Sequence, residues 1–375
     1  MRIARYALSI CAVAAVASAA NLDTYVQTNL VSDLPGVAQN LDPNLVNPWG
    51  IVAGPTSPFW INENGTGLST IFDGTGAKIL DVTIPPKSGS APTGIVFTGN
   101  VPAFGNAFVF DTEDGTLAAW KGTDGTLAHF AGPGGAAGSV YKGLAVGSSS
   151  SGTVLYATNF GLGRIDVFNT HFQPTTLSGS FTDPNLPKGY APFNIDAIDG
   201  KLYVTYALQD SAHHDDVAGP GHGFVDVYDM NGKLLNRLIS RGALNSPWGL
   251  ALAPSDFGKF SSDLLVGNFG NGWINAFDPT TGAFLGSLDG TNGSPIAIKG
   301  LWGLDFGNGA HDQLTDTLYF TAGIAGPDKV EDHGLYGSFT ATPEPQSALL
   351  LGLAGIAMIA VSFVQRKRSR FSQRS

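Results

Sequence analysis

Asn47-Pro48-Trp49-Gly50-Ile51 and Ser246-Pro247-Trp248-Gly249-Leu250 are two copies of one phrase, and its recurrence decides the fold. Looser copies stand at Pro92-Thr93-Gly94-Ile95, Tyr141-Lys142-Gly143-Leu144, Ala191-Pro192-Phe193-Asn194-Ile195 and Leu301-Trp302-Gly303-Leu304. The six recur at roughly 45–55 residue intervals, the length of a propeller blade. Between them, short alternating runs of Val, Ile, Phe and Tyr are punctuated by turns such as Asp73-Gly74-Thr75-Gly76. The expectation is an all-β, six-bladed β-propeller over residues 21–340.

The last unit has three strand-like runs, ending at Gly334–Phe339, and lacks a fourth. Thr24–Val31 alternates like a strand before the first phrase begins. A ring must close, so this N-terminal strand is expected to complete the sixth blade and cover its open edge.

Fifty Gly and 22 Pro with only 13% charged residues fit short strands and tight turns, while regularly spaced apolar residues exclude a disordered chain. Both ends differ from the middle. Residues 1–20 read as a secretory signal: Arg2 and Arg5, an apolar run from Ala7 to Ala17, and a small-residue site at Ala17-Ser18-Ala19. Cys11 is the sole cysteine and falls inside this signal, so the mature chain has no disulfide or thiol chemistry. At the other end, a linker over 341–346 contains Pro343-Glu344-Pro345. An apolar run over 347–364 follows, long enough to cross a bilayer as one helix, and then a basic tail over 365–375 with Arg366, Lys367 and Arg368. The basic cluster is expected to stay in the cytoplasm, leaving the propeller outside.

This three-part end resembles the PEP-CTERM sorting signal of Gram-negative bacteria. The resemblance implies recognition by an exosortase, a membrane protease-transpeptidase. It also implies anchorage in the inner membrane, with possible release to the cell surface or extracellular matrix. The turn Asn268-Phe269-Gly270-Asn271-Gly272 and the strand after it are similar to the NHL-type propeller repeat. Asn47-Pro48-Trp49-Gly50, Asn64-Gly65-Thr66-Gly67-Leu68-Ser69-Thr70, Asp215-Asp216-Val217-Ala218-Gly219-Pro220-Gly221, Gly223-Phe224-Val225-Asp226-Val227 and Gly334-Leu335-Tyr336-Gly337 resemble an uncharacterised bacterial family often carrying that sorting signal. The family lends a fold and a location, and no activity.

Between the two ends stand 13 basic and 29 acidic residues, a net charge of −16. No basic stripe is present, which excludes nucleic acid as a partner.

The turn entering each inner strand and the turn between second and third strands fall on one face of a blade. The phrases and the Asn-rich turns should therefore meet at one mouth of the channel. Trp49, Trp248, Trp302, Phe193 and Lys142 are the candidate ligand-binding residues, since aromatic faces beside polar groups suit polysaccharide or another small polar ligand. The competing reading is that Trp and Pro only pack blades together, with Gly where the backbone crowds the axis. Glu63, Asn159 and Asn268 offer oxygen atoms of the kind Ca²⁺ takes. They define the alternative function, a Ca-dependent lactonase-like hydrolase with metal in the channel, against the first expectation of a non-catalytic binding or structural module.

An insertion over Gln209–His222 in the fourth unit carries His213, His214, Asp215, Asp216 and His222. Its spacing matches no metal motif and reads as a solvated loop opposite the three Trp phrases. Asp111, Glu113 and Asp114 form an acidic turn, also expected to be solvated.

Overall fold

A computed structural model describes residues 24–85, 90–130, 135–326 and 331–342. The signal, the sorting segment and the apolar run over 347–364 lie outside them. No helix among the described residues is long and apolar enough to cross a membrane.

Six antiparallel sheets stand around one axis, each beginning with a copy of the phrase. Blade 1 runs Pro48–Ala53, Phe59–Glu63, Leu68–Phe72, Lys78–Thr83 from the axis outward, and blades 2, 4 and 5 repeat that order. Blade 3 has three strands, Tyr141–Ser149, Gly152–Asn159 and Arg164–Asn169.

Blade 6 is closed by the N-terminal strand, as expected. Tyr25–Ser32 pairs antiparallel with Leu335–Ala341, from Tyr25 opposite Ala341 to Ser32 opposite Leu335. Tyr25 anchors it: the residue is 1% exposed, its hydroxyl donates to Phe257 O at 3.0 Å, and its ring lies against Phe257 and Phe260. Asn40–Leu41 adds a short fifth strand, parallel to Tyr25–Ser32.

The repeated phrase is a bulge. All six inner strands shift register at it, for example between Pro48 and Ile51 and between Pro247 and Leu250. The bulge presses each inner strand onto the next. A Cβ on Gly50 would stand 2.5 Å from Thr93 O, one on Gly249 2.5 Å from Trp302 O, and one on Gly303 2.6 Å from Trp49 O. No side chain fits at such distances, so glycine is required there. Blade 4 carries Asn194 instead, whose Nδ2 donates to Trp248 O at 2.9 Å. Second-strand polar residues complete the joints: Asn62 Nδ2 donates to Thr93 O and Gly94 O at 3.2 and 3.0 Å, and Thr158 Oγ1 to Phe193 O at 3.3 Å.

Apolar clusters fill the spaces between neighbouring blades. A further cluster of Trp49, Phe160, Ala191, Phe193, Ala207, Trp248 and Trp302 sits on the axis itself.

Candidate functional site

The residue before the bulge glycine decides what occupies the axis. Trp49, Trp248 and Trp302 are 2%, 4% and 1% exposed, and Phe193 is 1% exposed. Trp49 stacks on Trp302 with centroids 3.5 Å apart, and Trp248 meets both rings edge-on at 5.9 and 5.8 Å. The three therefore form a plug across the channel, not an open arc of its mouth. Their buried faces pack on one another.

Two indole N–H groups are fixed. Trp302 Nε1 donates to Asn47 Oδ1 and Trp248 Nε1 to Lys142 O, both at 3.0 Å. Trp49 Nε1 is buried with no acceptor among the described residues.

Blade 3 places Lys142 at this same position, and it is only 1% exposed. Its ammonium lies 4.9 Å from the Trp49 ring centroid, within cation–π range. It pairs with Glu113 of blade 2 and, at 3.5 Å, with Asp215 of the blade 4 insertion. Burial alone would lower the lysine, but the carboxylates of Glu113, Asp215 and Glu331 together outweigh it and the pKa is raised. Burial works against the Asp215 anion, yet Lys142 and His214 hold that carboxyl below its ordinary value.

Asn64 Nδ2 donates to Glu113 Oε2 at 3.0 Å, and Asn47 Nδ2 donates to Glu331 Oε1 at 3.0 Å. Burial pushes Glu331 up to about 7. The result is a rim of carboxylates and amides, drawn from four blades, around one buried cation supplied by blade 3 on an aromatic floor.

Two sequence expectations change here. Glu113 is not merely solvated, since it is the partner of Lys142; its neighbour Asp111 is fully buried. The insertion does not lie opposite the Trp phrases: Asp215 reaches the Lys142 that covers Trp49. The signal available in the sequence was Lys142 itself, a charge where the other copies carry Trp, Phe or Thr.

The histidines of the insertion do not converge. His214 Nδ1 faces Asp215 Oδ1 at 2.9 Å, whereas His222 Nδ1 faces Val217 O at 2.8 Å. Glu113, His214 and Asp215 each bring one ligand-type atom within 4.8 Å of the others, but Lys142 already supplies the positive charge there.

Glu63, Asn159 and Asn268 end the second strands of blades 1, 3 and 5, and each is tied within its own blade. Thr66 Oγ1 donates to Glu63 Oε2 at 3.2 Å, Asn159 Nδ2 donates to Asp166 Oδ2 at 2.7 Å, and Asn268 Nδ2 to Ala243 O at 2.8 Å. Among the described residues no hydrogen bond or shared partner joins any two of them. Burial raises Glu63 well above the usual carboxylate range.

The fold and the plugged axis define a six-bladed β-propeller with a polar rim on one face. No family model matches the chain. Over 314 residues it is 32% identical to "Uncharacterized protein R648" of Acanthamoeba polyphaga mimivirus, covering 79% of this chain and 76% of that one. Over 339 residues it is 32% identical to "Uncharacterized protein L690" of the same virus, covering 84% and 85%. The chain belongs to one family with these viral proteins. Among solved structures it is similar to a protein of unknown function from Bacteroides thetaiotaomicron, with TM-score 0.51, 11% identity, and coverage of 84% of this chain and 73% of that one. A virginiamycin B lyase from Staphylococcus aureus aligns with TM-score 0.48 and 13% identity over 84% of this chain and 99% of that one. Likeness at such identity concerns the fold alone.

Proposed function

We propose that this propeller is an exported binding module that takes a hydroxyl-rich polar ligand, such as a polysaccharide, at the rim around Lys142. One observation carries the reading: a fully buried lysine pairs with carboxylates from two other blades, Glu113 and Asp215, and Asn64 of a third in turn holds Glu113. Such pairing holds the rim groups in fixed positions, and fixed carboxylate and amide oxygens recognise hydroxyls by paired hydrogen bonds. Because the Trp faces pack on one another, recognition is by hydrogen bonding at the rim and not by ring stacking. The test is retention of the full-length protein on immobilised soluble polysaccharides, compared with its Asp215→Ala variant. Asp215 has 69% side-chain exposure, so its removal leaves the plug intact.

We further propose that the two ends deliver this module: export through residues 1–20, then processing of the Pro343-Glu344-Pro345 segment by an exosortase and placement at the cell surface or matrix. The support is the order of the three parts in the sequence. Expression of the full chain with and without an exosortase tests it; a tail left intact in both cases overturns it.

A further inference from the structure

The plug closes the channel at one end only. Beyond it lies a cavity of about 480 Å³, bounded by Trp248 at the plug and by Gly54, Pro55, Asn100 and Asn308 at the opposite ends of the inner strands. That size suits a small organic ligand. It is distinct from the Lys142 rim, which lies on the other side of the Trp cluster.

The repeat itself marks what is unusual in this wall. Three residues after the Trp position, the six inner strands carry Val52, Val96, Ala145, Asp196, Ala251 and Asp305. Four are aliphatic and two are acids, and both acids line the cavity. Main-chain N–H groups reach both carboxylates, Ala197 at Asp196 and Phe306 and Ala53 at Asp305, but no side-chain donor or basic residue pairs with either among the described residues. Burial pushes Asp196 up to about 6 and Asp305 up to about 8, the latter also through the charge of Asp196. Anions so placed lack a counter-ion.

A second acceptor sits beside them. Asn194, 8% exposed, stands where the other five blades have glycine, and it also lines the cavity. Its Nδ2 is committed to Trp248 O, while its Oδ1 accepts no hydrogen bond among the described residues. Two of the nearby donors are taken, Trp248 Nε1 by Lys142 O and Asn308 Nδ2 by Gly54 O and Ser57 O, and Asn100 stands exposed at the far end of the cavity. The cavity thus presents acceptors and negative charge beside the aliphatic side chains of Ile51, Ile95, Val146, Leu250 and Leu304.

We propose that the channel cavity is a binding site for a small organic ammonium ion, whose N–H groups are held by Asp196, Asp305 and the Asn194 amide oxygen while its apolar body lies against the inner strands. A bare divalent ion fits less well. Hard cations such as Ca²⁺ need about six to eight oxygen ligands, and the void far exceeds one ion.

Trp248 lies in the cavity wall and reports occupancy through its fluorescence. The full-length protein is titrated in detergent with benzylammonium, with benzyl alcohol as the neutral analogue and CaCl₂ as the metal, and affinities are confirmed by calorimetry. Benzylammonium is expected to bind at least tenfold more tightly than benzyl alcohol. Asp196→Asn and Asp305→Asn, tested singly, are each expected to weaken it at least fivefold at unchanged melting temperature. The comparison of the two organic probes needs no variant and stands even if one variant fails to fold. Equal binding of both organic probes, binding of neither, or saturable Ca²⁺ binding that excludes benzylammonium overturns the proposal.

Discussion

Trp49 of the first blade lies flat on Trp302 of the last, with centroids 3.5 Å apart and planes 19° from parallel. The contact seals the ring seam at the axis, on the same two blades that the N-terminal strand fastens at the rim. Trp302→Ala is expected to cost ~3–5 kcal/mol, the range for removing a buried Trp. It also strips Asn47 Oδ1 of its indole donor. Trp302→Phe keeps the ring stack and is expected to cost about 1–3 kcal/mol, mainly the lost hydrogen bond. Urea denaturation of the two variants measures the difference.

The glycines of the phrase are a matter of distance. A methyl at Gly249 meets the Trp302 carbonyl oxygen, which cannot swing away as a side chain can. Gly249→Ala is expected to lose about 3 kcal/mol, the upper end of overpacking costs. At Gly122 nothing stands within 4 Å of an added Cβ. Gly122→Ala is therefore expected to stay within about 0.5 kcal/mol of the parent. Thermal melts of the pair check both.

Ring closure rests on Tyr25. Tyr25→Ala removes a buried ring packed on Phe257 and Phe260 and is expected to destabilise the propeller by ~3–5 kcal/mol. Limited proteolysis should then release the first strand before any other blade is cut. Cleavage that begins elsewhere would place the weak point in another blade.

Much of this was legible in the sequence. The phrase spacing gave six blades, and the missing fourth strand of the last blade led directly to Thr24–Val31, because an edge left open has unpaired donors and acceptors. The competing reading of the phrase, blade packing with glycine at the axis, matches the bulges seen at all six copies. What the sequence did not reveal was the direction of the indoles. A Trp before a bulge can point to the mouth or across the axis, and only the mutual stacking of three rings selects the latter. Glu113 and Asp215 were invisible as partners of Lys142 because their contacts join the loops of different blades, which no spacing within one repeat reveals.

Asp111 gives a pH signature. It is fully buried, its Oδ1 accepts from Gly94 N and Thr93 Oγ1 at 2.6 and 2.9 Å, and its Oδ2 has no partner among the described residues. Burial pushes it up to about 7. The folded protein therefore holds a proton that the unfolded chain releases near pH 4, so this group's contribution to stability falls as pH rises from about 4 to about 7. Asp111→Asn keeps an acceptor for Gly94 N and removes the titration. The variant's stability relative to the parent should rise between pH 5 and pH 8 in urea titrations; a constant difference contradicts the assignment.

The central claim is that the rim around Lys142 binds a hydroxyl-rich ligand. Its most direct test is the affinity of the full-length protein for a panel of soluble polysaccharides, measured by calorimetry on the parent, Asp215→Ala and Glu113→Gln. The account predicts saturable binding of at least one polysaccharide by the parent, weakened at least tenfold in both variants, with melting temperatures showing that each remains folded. Absence of binding across the panel, or binding unchanged in both folded variants, would contradict it.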